Sequence, residues 1–491
     1  MPETQRDAFT SPVPTSSTAD PVAPPDPPAA GPPQPRYGRE LAVLLVGQIM
    51  ATMATSVVNV AAPAISTGLH ITGASLQLVA SGYVLAYAIV LITGARLGDW
   101  GHRRMFTGGL ALFTTAALLS GVSPNGTVLI LGQILQGVGA ALMVPQVLSL
   151  IQLRFQGVQR AKALGHYALV LAVGVAAGQI LGGVLVTTNL FGLGWRSVFL
   201  INVPVGLLLM AFARVQLPAT RAATRRRLDL PGVALLSASI LLIVVPLTFG
   251  NTEHWPTWTW IAIVVGLAVM AGFLAVEKAT SARGGQPLLD LEAVAVPGIK
   301  PGLVVVFLVM GGYGTILFTS SVHLQEGLGY SALRSGLTFS TYALGFAVVN
   351  LTWSRLPAQL HRWIPLTGLL GLALANALLG VVTHATWNFA LIAPLLVLAG
   401  AGHGAGFGAL VPQIAARAKP AHAPAISGLV TTVTQLAIVV GIAALGSVYL
   451  DRIHPGDIVS FQHALSLVFY LLAATTLVAA CFALRMVKRS R

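Results

Sequence analysis

Three glutamines stand in one apolar stretch, "QILQGVGAALMVPQ" (133–146), beside two glycines and a proline. Gln133 and Gln136 are three residues apart, so they share one face of any helix formed here. Amides at membrane depth point into a bundle or a wet cavity, where they hold a ligand or bond neighbouring helices. Both readings stay open, because interhelical amide bonds are common and contribute about 1 kcal/mol. Pro145 frees a carbonyl and bends its helix, and Gly137 permits a close helix approach.

The same pattern returns further along the chain. "QGVGAALMVPQ" (136–146) aligns without a gap with "HGAGFGALVPQ" (403–413), which sets Gly137 on Gly404 and Pro145-Gln146 on Pro412-Gln413. His403 takes the place of Gln136, so both are expected to face a central pathway from opposite halves. Imidazole changes charge near neutral pH, which makes His403 a candidate proton carrier; a hydrogen-bonded neutral histidine is the alternative. His323, Glu326 and Asp99 are the other candidates, because no acidic residue is predicted at mid-membrane. "HLQE" (323–326) has no third ligand and predicts no metal site, and neither G-x-S-x-G nor H-E-x-x-H occurs. Neither a membrane enzyme nor a cofactor is expected.

The elements that carry these residues follow from composition. The 491 residues are 55% hydrophobic and only 9% charged, far below the share a soluble domain needs. Apolar runs of about 20 residues predict an all-α, polytopic membrane protein. Fourteen spans are expected, at 41–65, 76–97, 105–123, 127–152, 163–187, 197–216, 230–250, 258–276, 300–324, 333–354, 364–383, 387–413, 424–449 and 463–485. With a cytoplasmic N-terminus, 25 of the 28 Lys and Arg fall inside and only Arg196, Arg334 and Arg452 outside. That bias assigns the net charge of +14 to membrane orientation and excludes a nucleic-acid surface. The basic run "TRRRLD" (224–229) is a topology determinant on this reading, and Trp255, Trp258 and Trp260 are interfacial anchors. Cys481 is expected to be packed and inert.

Residues 1–38 form a Pro-rich segment expected to be a disordered cytoplasmic tail. The repeat then divides the chain into a six-helix bundle (39–217), a basic linker with two extra helices (218–298) and a second six-helix bundle (299–491). Parallel repeats with a site at their interface are a transporter architecture. In the fifth span, "GVAAGQILGG" (174–183) puts Gly174, Gly178 and Gly182 on one face with Gly183 beside them, suited to tight helix packing.

These stretches resemble the major facilitator superfamily, in its fourteen-span drug:proton antiporter branch. "TGARLGDWGHRRMF" (93–106) looks like its loop between spans two and three, and "LQGVGAALMVP" (135–145) like its span-four motif. "GVAAGQILGG", "GWRSVFLINVPVG" (194–206) and "SVVNVAAPAI" (56–65) extend the resemblance over residues 40–486. The resemblance implies that Asp99 holds an inward gate with Arg103 and Arg104, in a turn shaped by Gly98 and Gly101. The chain departs from the pattern where it has one residue rather than two between Asp99 and Gly101. It also has Ala95 for a glycine, Gln133 for an arginine, Gln179 for a proline, and Ala54 where many relatives carry an acid.

The resemblance implies multidrug efflux by proton antiport in the cell membrane; a proton-independent facilitator or a transport-dead sensor is the alternative. Without a buried carboxylate, neutral or weakly anionic amphipathic molecules suit the cavity better than cations. Tyr83, Tyr87, Asn59, Gln179, Tyr313 and Gln435 join Gln133, Gln136 and His403 as pathway candidates.

Overall fold

The structure, a computed structural model, describes residues 37–217, 230–250, 255–283, 294–385, 387–417 and 423–488. The Pro-rich tail up to residue 36 and the basic run 224–229 lie outside the described residues. The described chain is helical. Its first half contains α1 (Tyr37–Leu69), α2 (Gly73–Leu97), α3 (His102–Gly121), α4 (Gly126–Arg154), α5 (Gly157–Thr188) and α6 (Asn202–Gln216). Two further helices follow, α7 (Leu230–Phe249) and α8 (Thr257–Ala282). The second half contains α9 (Ile299–Val322), α10 (Ala332–Thr352), α11 (Ile364–Ala385), α12 (Phe389–His403), α13 (Ala423–Gly441) and α14 (Ile458–Lys488).

Among the described residues, eleven helical runs are long and apolar enough to cross a membrane. α3 starts on His102, Arg103 and Arg104, and α10 carries Arg334 with several hydroxyl residues, which lowers the hydropathy of both; in α5 the described apolar run is Ala177–Thr188. α8 continues past the predicted end at 276, so Glu277, expected beyond the span, is buried inside the helix. Cys481, expected to be packed, is exposed on α14. Its position on the outer face of an apolar helix explains this, since lipid rather than protein covers such a face.

The two halves pack by one plan. α4 lies between α2 and α3 as α12 lies between α10 and α11, and α3 meets α6 as α11 meets α14. The halves meet through α2 against α13 and through α5 against α10. Exchanging the halves exchanges these two contacts, as a duplicated bundle requires. α7 and α8 pair with each other, and α7 leans on α2.

Short connections set the ends of the bundle. At one end Trp195, before α6, fills the space beside Gly68 of α1, Ile71 abuts Gly126, and Arg196 donates to the Ser123 carbonyl at 3.1 Å. Asn125, Ser331 and Asn388 accept from backbone N–H groups to cap α4, α10 and α12. This is the α1–α2 end; the other is the α2–α3 end.

Regularity separates the halves. The second half contains three π-helical turns, His323–Gly327 after α9, Gly404–Gly408 after α12 and Ile442–Gly446 after α13. The chain continues beyond the second as Leu410–Arg417 and beyond the third as Ser447–Leu450.

Candidate transport pathway and its gates

α4 is held by backbone approaches that its sequence permits. A side chain at Gly137 would strike the Tyr83 carbonyl and Ala86 of α2, and one at Gly139 would strike Gly109 and Phe113 of α3. The second copy repeats the arrangement, with Gly404 against Phe346 of α10 and Gly406 against Leu369 of α11. Pro145 cannot bond the Ala141 carbonyl, and Gly94 of α2 packs directly onto that oxygen. Gln146 then ties α4 to the α2–α3 turn: its Nε2 donates to the Gly94 carbonyl at 2.8 Å, and its Oε1 lies 2.8 Å from His102 Nδ1. Gln413 acts likewise once, donating to the His361 carbonyl at 2.8 Å.

Two of the predicted amides are unsatisfied. Gln133 and Gln179 are buried, and neither side chain has a hydrogen-bond partner for its oxygen or its nitrogen. Gln136 is buried beside Gln133, one helical turn away. Asn59 on α1 donates to the Thr55 carbonyl, while its Oδ1 is unpartnered. Burying such groups costs about 1–3 kcal/mol each. A fold retains them where something other than packing selects them.

The aromatic candidates divide. Tyr83 donates to the Ala51 carbonyl at 2.9 Å and stacks on Tyr87, which makes it a brace between α2 and α1. Tyr313 stacks on Tyr342 and borders His403. Gln435 is buried on α13.

His403 does not face an open pathway with Gln136. Its Nδ1 lies 2.8 Å from Tyr342 Oη, and its Nε2 lies 3.4 Å from Met310 Sδ. Tyr313, Phe346 and Phe407 border the ring, and only 2% of the residue is exposed. A π-turn begins at the next residue.

At the α2–α3 end, Gly98 and Trp100 bound a single helical turn that includes Asp99, whose side chain is outside the described residues. Gly101 takes φ +130°, a conformation open to glycine, and this absorbs the missing residue of the loop. Arg103 donates to the Arg214 carbonyl at the end of α6 at 2.7 Å, where the helix dipole favours a cation. Arg104 is exposed. The glycine stripe of α5 packs inside its own half: Gly174, Gly178 and Gly182 meet Thr52, Ser56 and Val57 of α1. Gly183 alone of these reaches across, to Ala332 and Leu333 of α10.

Hydrogen bonds join the halves at the α1–α2 end. Gln77 of α2 donates to Ser447 Oγ at 3.0 Å, and Leu333 N donates to Thr187 Oγ at 3.1 Å. Ser321 Oγ donates to the Asn59 carbonyl at 2.7 Å, and Gln325 Nε2 donates to the Val60 carbonyl at 2.9 Å. At the α2–α3 end Arg154 pairs with Glu40 of the same half at 3.2 Å.

Known proteins match this arrangement. The family model of the Major Facilitator Superfamily matches residues 44–283 and 302–491. The chain belongs to the Major Facilitator Superfamily. It is 36% identical to the probable actinorhodin transporter of Streptomyces coelicolor, over 87% of this chain and 75% of that protein. A cephamycin export protein of Amycolatopsis lactamdurans is 34% identical, over 82% of this chain and 83% of its own length. The tetracenomycin C resistance and export protein of Streptomyces glaucescens is 29% identical, over 85% and 76% respectively. In fold, the chain is similar to a bacterial homolog of the human lysosomal transporter Spinster, solved inward-facing and occupied. The TM-score is 0.68 at 16% identity, over 94% of this chain and 98% of that one.

Several residues of this facilitator escaped the sequence analysis. Gln77, Ser321, Gln325 and Ser447 close one end of the interface, yet each is an ordinary polar residue in an apolar helix. Glu40 and Arg154 join α1 to the end of α4 across more than a hundred residues of chain. Gln146 was visible in the repeat but could not be told from a packing residue without its partners.

Proposed function

We propose that this facilitator is a fourteen-span exporter of small amphipathic molecules, proton-coupled and set in the cell membrane with both termini in the cytoplasm. The basic-residue bias supports the orientation, and it makes the α2–α3 end cytoplasmic. Residues 39–217 and 299–491 are then the moving halves, and 218–298 the inserted pair with its linker. The observation that carries the reading is a set of four bonds: the halves are hydrogen-bonded at the α1–α2 end, which is the outer end in this orientation. This is an inward-facing state of an alternating-access cycle.

Gln133, Gln136, Gln179 and Asn59 supply the polar wall for the substrate. Neutral amides fit a neutral or weakly anionic substrate, because a cation would be desolvated there without a counter-charge. The α2–α3 turn, with Asp99, Arg103 and Arg104, forms the inner gate. Everted vesicles from an efflux-deficient host test the reading, with tetracenomycin C and a cephamycin as first probes. Accumulation of a probe with substrate-induced proton release is the expected result. Probe movement without proton flux would make the protein a facilitator, and no movement of any probe would overturn the export reading.

A further inference from the structure

The π-turn His323–Gly327 carries two sets of groups. Ser321, just before it, and Gln325, within it, donate to α1 main-chain carbonyls and close the outer end. His323 turns instead into its own half. It is fully buried between Trp387, at a ring distance of 5.2 Å, and Phe461, at 6.4 Å. Its ring nitrogens bond no side chain, and the Phe461 main chain is the polar group beside the ring. Trp387 Nε1 and the hydroxyl of Tyr449, which packs on the other side of the Phe461 contact, are also unpartnered.

This arrangement is stable only for a neutral ring. An imidazolium needs an acceptor for each N–H, and beside the aromatic walls the Phe461 main chain serves one at most. The titratable and charged groups on the elements packed around the turn are Glu326 on the turn itself, Tyr449 after α13, Asp451, Arg452, His454 and Asp457 before α14, His463 at its start, and Tyr330 and Arg334 at the start of α10. Arg334 is held over the Tyr330 ring at 3.6 Å, and His463 is stacked on His384. Glu326, exposed at the outer mouth on the same turn, is the acceptor a displaced ring could reach.

We propose that His323 is a proton-binding site that unlatches the outer gate. A proton from the outer solution makes the buried ring a cation. The ring must then leave its aromatic pocket for water or Glu326, and the turn that moves with it pulls Ser321 and Gln325 off α1. On reclosure the proton returns to the outer solution, so the site regulates opening without adding to the transported charge. The inference rests on the export reading for its direction, outer rather than inner.

The test is a distance across the outer end, measured by spin labels at Thr188→Cys and Leu333→Cys in a Cys481→Ser background, with full-length protein in liposomes. Acidification from about pH 8 to about pH 4 covers an exposed histidine and one that burial holds neutral. The inter-label distance is expected to lengthen on acidification and to stay constant in His323→Gln. A distance that ignores pH in the wild type, or still responds in His323→Gln, would overturn the proposal. Gln325→Ala guards against a misfolded His323→Gln: it removes one latch bond to α1 and leaves His323 in place, so the transition should move to higher pH, and an unmoved transition also counts against the latch. Flux of tetracenomycin C in everted vesicles is read separately, so failure of the export reading and failure of the latch are distinguishable.

Discussion

The two halves share a packing plan but satisfy their polar groups differently. In the first half, α4 is tied to its neighbours by the paired bonds of Gln146, while Gln133 and Gln179 are left unsatisfied deep in the bundle. In the second half the equivalent stretch is interrupted by a π-turn, Gln413 makes one bond, and His403 is sealed by aromatic rings and Tyr342. A duplicated scaffold therefore keeps its backbone approaches, which glycine dictates, and lets its polar chemistry diverge. In the proposed reading the first half offers its unpartnered amides to a substrate. The second contributes the side chains of Ser321 and Gln325 that close the α1–α2 end onto the main chain of the first.

The sharpest break of this comparison is at the paired glycines. Gly137→Val drives a branched side chain into α2 backbone and is expected to lower stability by about 3 kcal/mol, at the upper end of overpacking costs. Gly404→Val, beside a π-turn and with a looser approach to Phe346, should cost about 1–2 kcal/mol. Thermal unfolding of both variants in one detergent reads the order, and equal losses would mean the halves are equally tight. Next comes the glutamine pair. Gln146→Ala removes two contacts and is expected to cost about 2 kcal/mol, against about 1 kcal/mol for Gln413→Ala, read the same way.

The amides divide stability from transport. Gln133→Leu and Gln179→Leu remove buried unpaired groups, so melting temperature should hold or rise while export falls about tenfold, the effect of losing roughly 1.4 kcal/mol of substrate binding. A drop in melting temperature with unchanged export would make them packing residues. The smallest effect is expected at His403→Gln, which loses the Tyr342 bond for about 1 kcal/mol of stability and leaves the pH profile of transport unchanged. A changed profile would restore His403 as a proton carrier.

Much of this was legible in residues alone. The apolar runs locate the helices because a bilayer core leaves the backbone no partner but itself. The repeat of Gly137 and Gly139 in Gly404 and Gly406 foretold equivalent neighbours, since a missing side chain has meaning only where another backbone comes close. The glycine stripe of α5 announced tight packing, though not that its partner would be α1 of the same half. Orientation of a polar side chain was harder. His403 and Gln136 share a column in the alignment, yet a π-turn and three aromatic neighbours separate their surroundings.

The sequence by itself determined the class: an all-helical, duplicated membrane protein with the family's signature turns, because hydropathy and glycine spacing are local properties that hold in any context. Only the tertiary structure decided which polar residues meet. Gln77 finds Ser447 and Gln325 finds the Val60 carbonyl across hundreds of residues of sequence, and His323 is left between the rings of Trp387 and Phe461. Hydrogen bonds reach about 3 Å, so a polar residue in an apolar helix becomes a gate, a binding wall or a brace only through what the fold sets within that distance.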